Sequence, residues 1–202
     1  MKKGAKFLTR ERFDGIKIGY AVCGSFCTFR KSFEQLEKLI ELGADVTPIM
    51  SYNAYSLDTR FGTAESHRKY LTELCGKDII STITAAEPIG PKRMFDLLII
   101  SPCTGNTLAK LALGIIDSPV AMAVKSHIRN ARPVLIALST NDALAGSAKN
   151  IGALMNYRNF YFVPINQDDH VNKPCSAAAD FARLPEAAAA ALDGIQLQPV
   201  LI

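Results

Sequence analysis

Apolar positions come in short runs, each closed by small polar residues and followed by a stretch with helical spacing. Residues 16–22 (Ile-Lys-Ile-Gly-Tyr-Ala-Val) predict a first strand, ending in the turn Cys23, Gly24, Ser25, Phe26, Cys27. Phe29, Phe33, Leu36, Leu39 and Ile40 then share one helix face, and Gly43 stands where such a helix stops. Residues 45–50 predict a second strand, closing on Ser51. A strand–helix–strand unit of about 35 residues is the size of a right-handed parallel crossover.

The pattern continues. Residues 62–74 predict a helix that is polar on one side, 79–83 a short strand, and 85–91 a loop. Residues 96–100 predict a third strand, then a loop from Ser101 to Thr107 and a helix from about Leu108 to Leu113. A helix is expected over 120–128 and a strand over 133–138, with Asp142 capping a helix that reaches Met155. Residues 160–164 predict the last strand, and the alanine-rich stretch 184–192 a late helix. This alternation predicts a doubly wound α/β fold, a mostly parallel sheet with helices on both faces. The 202 residues suit one domain, with no internal repeat or low-complexity linker.

Composition changes little. Hydrophobic residues make up 49% and charged residues 21%, as in ordinary soluble domains. A net charge of +4 suits anionic ligands, but Lys and Arg are scattered, which argues against a nucleic-acid partner. Met1-Lys2-Lys3 is not followed by a long apolar stretch, and no window nears the ~18 apolar residues of a membrane span. Five widely spread cysteines predict reduced thiols and a cytoplasmic protein.

Chemistry gathers where the strands end. The first strand ends in Gly24 and Ser25, the second in Ser51 and the next in Ser139, Thr140 and Asn141. The richest end is Ser101, Pro102, Cys103, Thr104, Gly105, Asn106, Thr107, which leads into a helix. Parallel strands deliver their carboxyl ends to one edge, so these groups should converge. Hydroxyls with helix-start N–H groups bind phosphate well. The plain alternative is that each merely caps the helix that follows. A nicotinamide dinucleotide in this domain is disfavoured, because Gly24 is the only glycine in the first turn and Ser51 stands where the ribose-binding acid would be. No G-x-x-x-x-G-K-[ST] motif is present either, and a mononucleotide such as FMN fits better.

These residues resemble the flavoprotein family of the homo-oligomeric flavin-containing cysteine decarboxylases. That family carries Pro-Ala-Ser-Ala-Asn-Thr after a middle strand, then a helix with Lys-Leu-Ala and Gly-x-x-Asp. Here Pro102-Cys-Thr-Gly-Asn-Thr107 and Lys110-Leu-Ala-Leu-Gly114-Ile-Ile-Asp117 follow the pattern. The family's Pro-x-Met-Asn-x-x-Met loop has a weaker counterpart in Leu138-Ser-Thr-Asn141-Asp-Ala-Leu144, without the methionines. Four segments, the motif from Ser101 and three others beginning at Gly24, Glu87 and Phe162, resemble the branch of the family active in dipicolinate (pyridine-2,6-dicarboxylate) synthesis in spore-forming bacteria.

The converging strand ends, taken with the resemblance, predict FMN bound by Gly24, Ser25, Phe26, Ser51, Ser101, Pro102, Cys103, Thr104, Asn106, Thr107, Ser139, Thr140 and Asn141. The resemblance implies a dehydrogenase-like A subunit, bringing NAD or NADP, as partner in oxidising a dihydro or hydroxy-tetrahydro precursor to the aromatic dicarboxylate. It also implies a homo-oligomer in the cytoplasm of the sporulating mother cell. Two alternatives stay open: a stand-alone FMN-dependent decarboxylase, and a non-catalytic scaffold for the A subunit.

Asn106 and Asn141 are the candidates to touch the flavin ring or a substrate carboxylate. Lys125, Arg129, His170 and Lys173 are candidate cations for a dicarboxylate, each with solvated surface charge as its plainer reading. His67 sits in a polar helix and is expected to be exposed. Cys23, Cys27 and Cys103 lack the partners of a zinc site and are expected to be small packing residues. Asp168 and Asp169 are expected at the last strand end, with capping, proton transfer and partner contact all open.

Overall fold

The computed structural model describes residues 10–202, so Met1-Lys2-Lys3 lies outside the described residues. In chain order the elements are α1 (Arg10–Phe13), β1 (Lys17–Val22), α2 (Phe29–Glu41), β2 (Asp45–Met50), α3 (Tyr52–Ser56), α4 (Ala64–Cys75) and α5 (Ile83–Ala86). They continue as β3 (Leu97–Cys103), α6 (Gly105–Leu113), α7 (Pro119–Ile128), β4 (Val134–Thr140) and α8 (Ala148–Asn156). The chain closes with β5 (Phe160–Phe162), β6 (Ile165–Asn166), β7 (Ala177–Ala179) and α9 (Leu184–Leu192).

Side chains alternate across the strands, and here both faces are apolar. Ile18, Tyr20, Val22, Leu97, Ile99, Leu135 and Ala137 meet α2 and α9 on one face. Ala21, Leu98, Ile100, Val134, Ile136 and Leu138 meet α6, α7 and α8 on the other. Burial on both sides is what a parallel sheet covered by crossover helices requires. Each fully buried Leu or Ile contributes about 1.5–3 kcal/mol.

The parallel strands run in the order β2, β1, β3, β4, β5. Connections therefore leave in opposite directions from β1 and from β3, which opens a crevice at their carboxyl ends. The outer edge of β4 is shared. Val134–Ile136 pair with β5 in parallel, while Ser139 and Thr140 pair antiparallel with β7, which in turn pairs with β6.

Several expected boundaries shift for physical reasons. β3 runs on through Ser101, Pro102 and Cys103 with a register irregularity, and α6 begins at Gly105 instead of Leu108. The strand tolerates Ser101 because Ser32 Oγ lies 2.9 Å from its hydroxyl and donates to its carbonyl at 2.8 Å. Over 79–83 only Ile80 bridges β2, and Ile83 already opens α5. The expected loop over 85–91 contains the end of α5 and a 3₁₀ turn, Glu87–Ile89. Asp142 is not the cap of α8, which starts after Ser147; it instead accepts the Ser147 hydroxyl at 2.8 Å. The segment 160–164 is not the last strand, since β6 and β7 follow.

His127, buried in α7, fixes a pH expectation. Its Nε2–H donates to the Pro133 carbonyl at 3.0 Å, because a carbonyl only accepts. Burial outweighs this bond and lowers its pKa from 6.5 to about 4. The neutral ring is thus favoured by folding. That stability is complete above pH ~6.5 and is lost as pH falls toward ~4, by about 3 kcal/mol in all. Urea unfolding at pH 7 and at pH 4.5 should show the loss, and His127→Gln should flatten this part of the slope. An unchanged slope would show that other groups govern it.

Candidate functional site

The two chambers at the strand ends are built by caps. Thr104 closes β3, and its hydroxyl accepts the Thr107 N–H at 3.3 Å, starting α6. Ser51 closes β2, and its hydroxyl accepts the Ala54 N–H at 3.3 Å, starting α3. The capping reading therefore holds for both, and the same two hydroxyls also face the crevice.

The smaller chamber, ≈ 180 Å³, is lined by Gly24, Ser51, Tyr52, Asn53, Thr104, Asn106, Thr107, Lys110 and Ser118. Its lining is dominated by hydrogen-bond donors. Lys110 lies one helical turn beyond Asn106 and pairs with Asp117 at 2.8 Å. Thr107 donates to Cys23 Sγ at 3.3 Å, which ties the end of β1 to α6. Burial pushes the Cys23 thiol up to about 11, so it stays protonated.

The larger chamber, ≈ 410 Å³, lies on the β4 side and includes Ser25, Phe26, Cys27, Ser139, Thr140, Asn141, Asp168 and Lys173 in its lining. Ser25 Oγ and Ser139 Oγ are 2.8 Å apart, a bridge from the end of β1 to the end of β4 across β3. Thr140 donates to Asp142 at 2.6 Å, and that bond leads in holding the Asp142 carboxyl below its usual range. Gly24, Thr104 and Asn106 line both chambers.

Most of the expected residues thus converge: Gly24, Ser25, Phe26, Ser51, Thr104, Asn106, Thr107, Ser139, Thr140 and Asn141 all line one chamber or the other. Ser101, Pro102 and Cys103 do not. They are buried beneath the crevice, where Ser101 joins the Ser32 hydroxyl and the Pro102 carbonyl accepts the Cys23 N–H at 3.1 Å.

Of the candidate cations, only Lys173 lines a chamber, while Lys125 and Arg129 lie on or beside α7 and His170 is exposed in the loop before β7. His67 is half-buried, not exposed, with its ring 4.9 Å from that of Phe29 and Nε2 without a partner among the described residues. Burial lowers its pKa. It lines neither chamber. Cys23 and Cys103 are buried packing residues as expected, but Cys27 is exposed in the larger chamber. Asp168 lines that chamber, whereas Asp169 closes a turn by accepting the Asn172 N–H at 3.0 Å.

Sequence reasoning missed Tyr52, Asn53, Phe61, Lys110 and Ser118 as lining residues. Helical spacing from Asn106 was a usable signal for Lys110. Phe61 had none, since it arrives on a separate loop.

No helix among the described residues is long and apolar enough to cross a membrane. Residues 8–181 match the family model described as Flavoprotein. The chain is 44% identical to the dipicolinate synthase B subunit of Bacillus subtilis (strain 168) over 188 residues, covering 93% of this chain and 94% of that one. The crystal structure of the dipicolinate synthase B subunit from Bacillus halodurans superposes with a TM-score of 0.86 at 42% identity, covering 94% and 97% of the two chains. The FMN-dependent cysteine decarboxylase SpaF shares the fold, with a TM-score of 0.63 at 20% identity over 88% of this chain and 97% of that one. The chain belongs to the Flavoprotein family, on the branch of the dipicolinate synthase B subunits.

Proposed function

We propose that this chain is the flavin-binding subunit of a two-subunit enzyme of dipicolinate synthesis. On this reading it binds FMN at the β1/β3 crevice and works with a dehydrogenase-like A subunit that brings NAD or NADP. The pair oxidises dihydrodipicolinate, or its hydroxy-tetrahydro precursor, to dipicolinate in the cytoplasm of the sporulating cell, with this chain as a homo-oligomer.

The observation that carries the flavin part is the donor-rich chamber at the point where the strand order reverses. Its chemistry fits the phosphate of a mononucleotide: the Ser51 hydroxyl, the Asn53 and Asn106 amides and the N–H groups of Gly105 and Asn106 can donate, and Lys110 adds positive charge while paired with Asp117. At ≈ 180 Å³ it is too small for a whole flavin, which would continue past Gly24 and Thr104 into the larger chamber. Phe26 there offers an apolar wall to a ring. FMN, when bound, supplies the hydride acceptor that aromatising a dihydropyridine needs. Ser51, Asn53, Asn106 and Lys110 would hold its phosphate, and Phe26 would bear on its ring. The similarity to an FMN-dependent decarboxylase and to dipicolinate synthase B subunits supports both halves of the reading. His67 packs against Phe29 and lines neither chamber, so this histidine is not placed as the base of a stand-alone decarboxylase.

Titration with FMN tests the reading. At a hundredfold excess over Kd, FMN should stabilise the fold by about 2.7 kcal/mol, a rise of roughly 5–10 °C in Tm. Oxidation of the precursor should require added A subunit. An unchanged Tm would favour the scaffold reading, and full turnover by this chain alone would remove the partner from the proposal.

A further inference from the structure

The larger chamber holds a cation, Lys173, and an anion, Asp168, whose charged groups have no hydrogen-bond or ion-pair partner among the described residues. The side chain of Lys173 is exposed there and makes no hydrogen bond or ion pair with another described residue. Lys110, the other cation at the strand ends, is already paired with Asp117. The hydrogen bonds that shape the loop come from groups other than the Lys173 ammonium, although its charge also favours the ionised Asp169 carboxylate. Lys173 N–H donates to the Asp169 carbonyl at 2.8 Å, Ser176 N–H donates to the Lys173 carbonyl at 3.0 Å, and Asn172 occupies the Asp169 carboxylate. Asp168 lines the same chamber and likewise makes no side-chain hydrogen bond with a described residue. The Ser25–Ser139 hydroxyl bridge forms part of the same lining.

We propose that Lys173 and Asp168 determine specificity in a substrate subsite of this chamber, Lys173 pairing with a ring carboxylate and Asp168 accepting a hydrogen bond from a ring N–H or O–H. The subsite rests on the proposed function for its ligand class, a small cyclic dicarboxylate. The hydroxy-tetrahydro precursor carries both features through its ring O–H, and a reduced ring bearing a proton on nitrogen carries them through N–H. The aromatic dicarboxylate has carboxylates and a ring nitrogen that only accepts, so it meets Lys173 but turns no donor toward Asp168. The chamber is thus built to prefer the reduced ring over the aromatic one. Asp168 is exposed, so water serves its carboxylate when no donor is offered, and the discrimination comes from the one added hydrogen bond.

The test uses the FMN-treated full chain with two probes, piperidine-2,6-dicarboxylate (a saturated ring with N–H donors) and pyridine-2,6-dicarboxylate, followed by calorimetry at low salt. The saturated probe should bind more tightly. Lys173→Gln should weaken both probes about tenfold, with the loss shrinking as salt rises because the ammonium is exposed. Asp168→Asn should weaken the saturated probe and narrow the gap between the two. Equal binding of the probes to the unsubstituted chain, or wild-type affinity in Lys173→Gln, would overturn the subsite. The FMN-induced rise in Tm is read separately on the same samples. Its absence alongside Lys173-dependent probe binding would remove the flavin and keep the subsite. Its presence with Lys173-independent binding would do the reverse.

Discussion

Phe95→Ala is expected to cost about 3–5 kcal/mol of folding stability, a fall in Tm on the order of 10 °C. Phe95 is 1% exposed and packs just ahead of β3 in the core on the α7 face. The ring has a place because β1 leaves it one. A Cβ on Gly19 would lie 2.6 Å from Phe95 Cδ2 and Cε2 and 2.7 Å from Leu98 Cδ1. Gly19→Ala should therefore be destabilising by itself, by roughly 1–3 kcal/mol. The double variant should lose less than the sum, because the new methyl enters the space that the ring vacates. Relief is partial, since the Leu98 contact remains. Urea unfolding of the four proteins measures the coupling. Strict additivity would show that the ring does not depend on the missing side chain.

Gly105→Ala should weaken FMN binding by tenfold or more and destabilise the chain by roughly 1–3 kcal/mol. A Cβ there would lie 2.6 Å from Thr140 Oγ1, 2.8 Å from Ser147 Oγ and 2.9 Å from Asp142 Oδ1. Those oxygens already bond one another, with both hydroxyls donating to Asp142. A methyl forces the cluster open and displaces Thr140 and Asn141 from the chamber wall. Gly152→Ala, on α8 with nothing within 4 Å of the added carbon, is the control and should keep the FMN-induced shift. Wild-type FMN affinity in Gly105→Ala would separate the junction of α6 and β4 from the cofactor.

Legibility in the sequence followed the range of the forces involved. β1, α2, β2 and α9 were readable because their apolar spacing is local and strong. The end of β3 was not, because Ser101 reads as loop until Ser32, far away in sequence, supplies its hydrogen bonds. β6 and β7 are two and three residues long and exist only through pairing with each other and with β4. The parallel-sheet rule was enough to bring Gly24, Ser25, Ser51, Thr104 and Ser139 to one edge, but it also put Ser101 there, which is buried beneath it. Phe61 and Ser176 arrive on loops whose course no local pattern encodes. His67 looked exposed from its polar neighbours, while the phenylalanines that cover it come from α2.

The clip of β6 and β7 onto Ser139 and Thr140 has a further effect. The segment carrying Asp168 and Lys173 departs from and returns to the same short ribbon, so its two feet stand side by side. Drawing such a tethered arm down onto a guest costs little chain entropy, since its ends are already joined. Strain from a seated guest would pass through those feet into β4 first, and only then toward the helices behind the sheet.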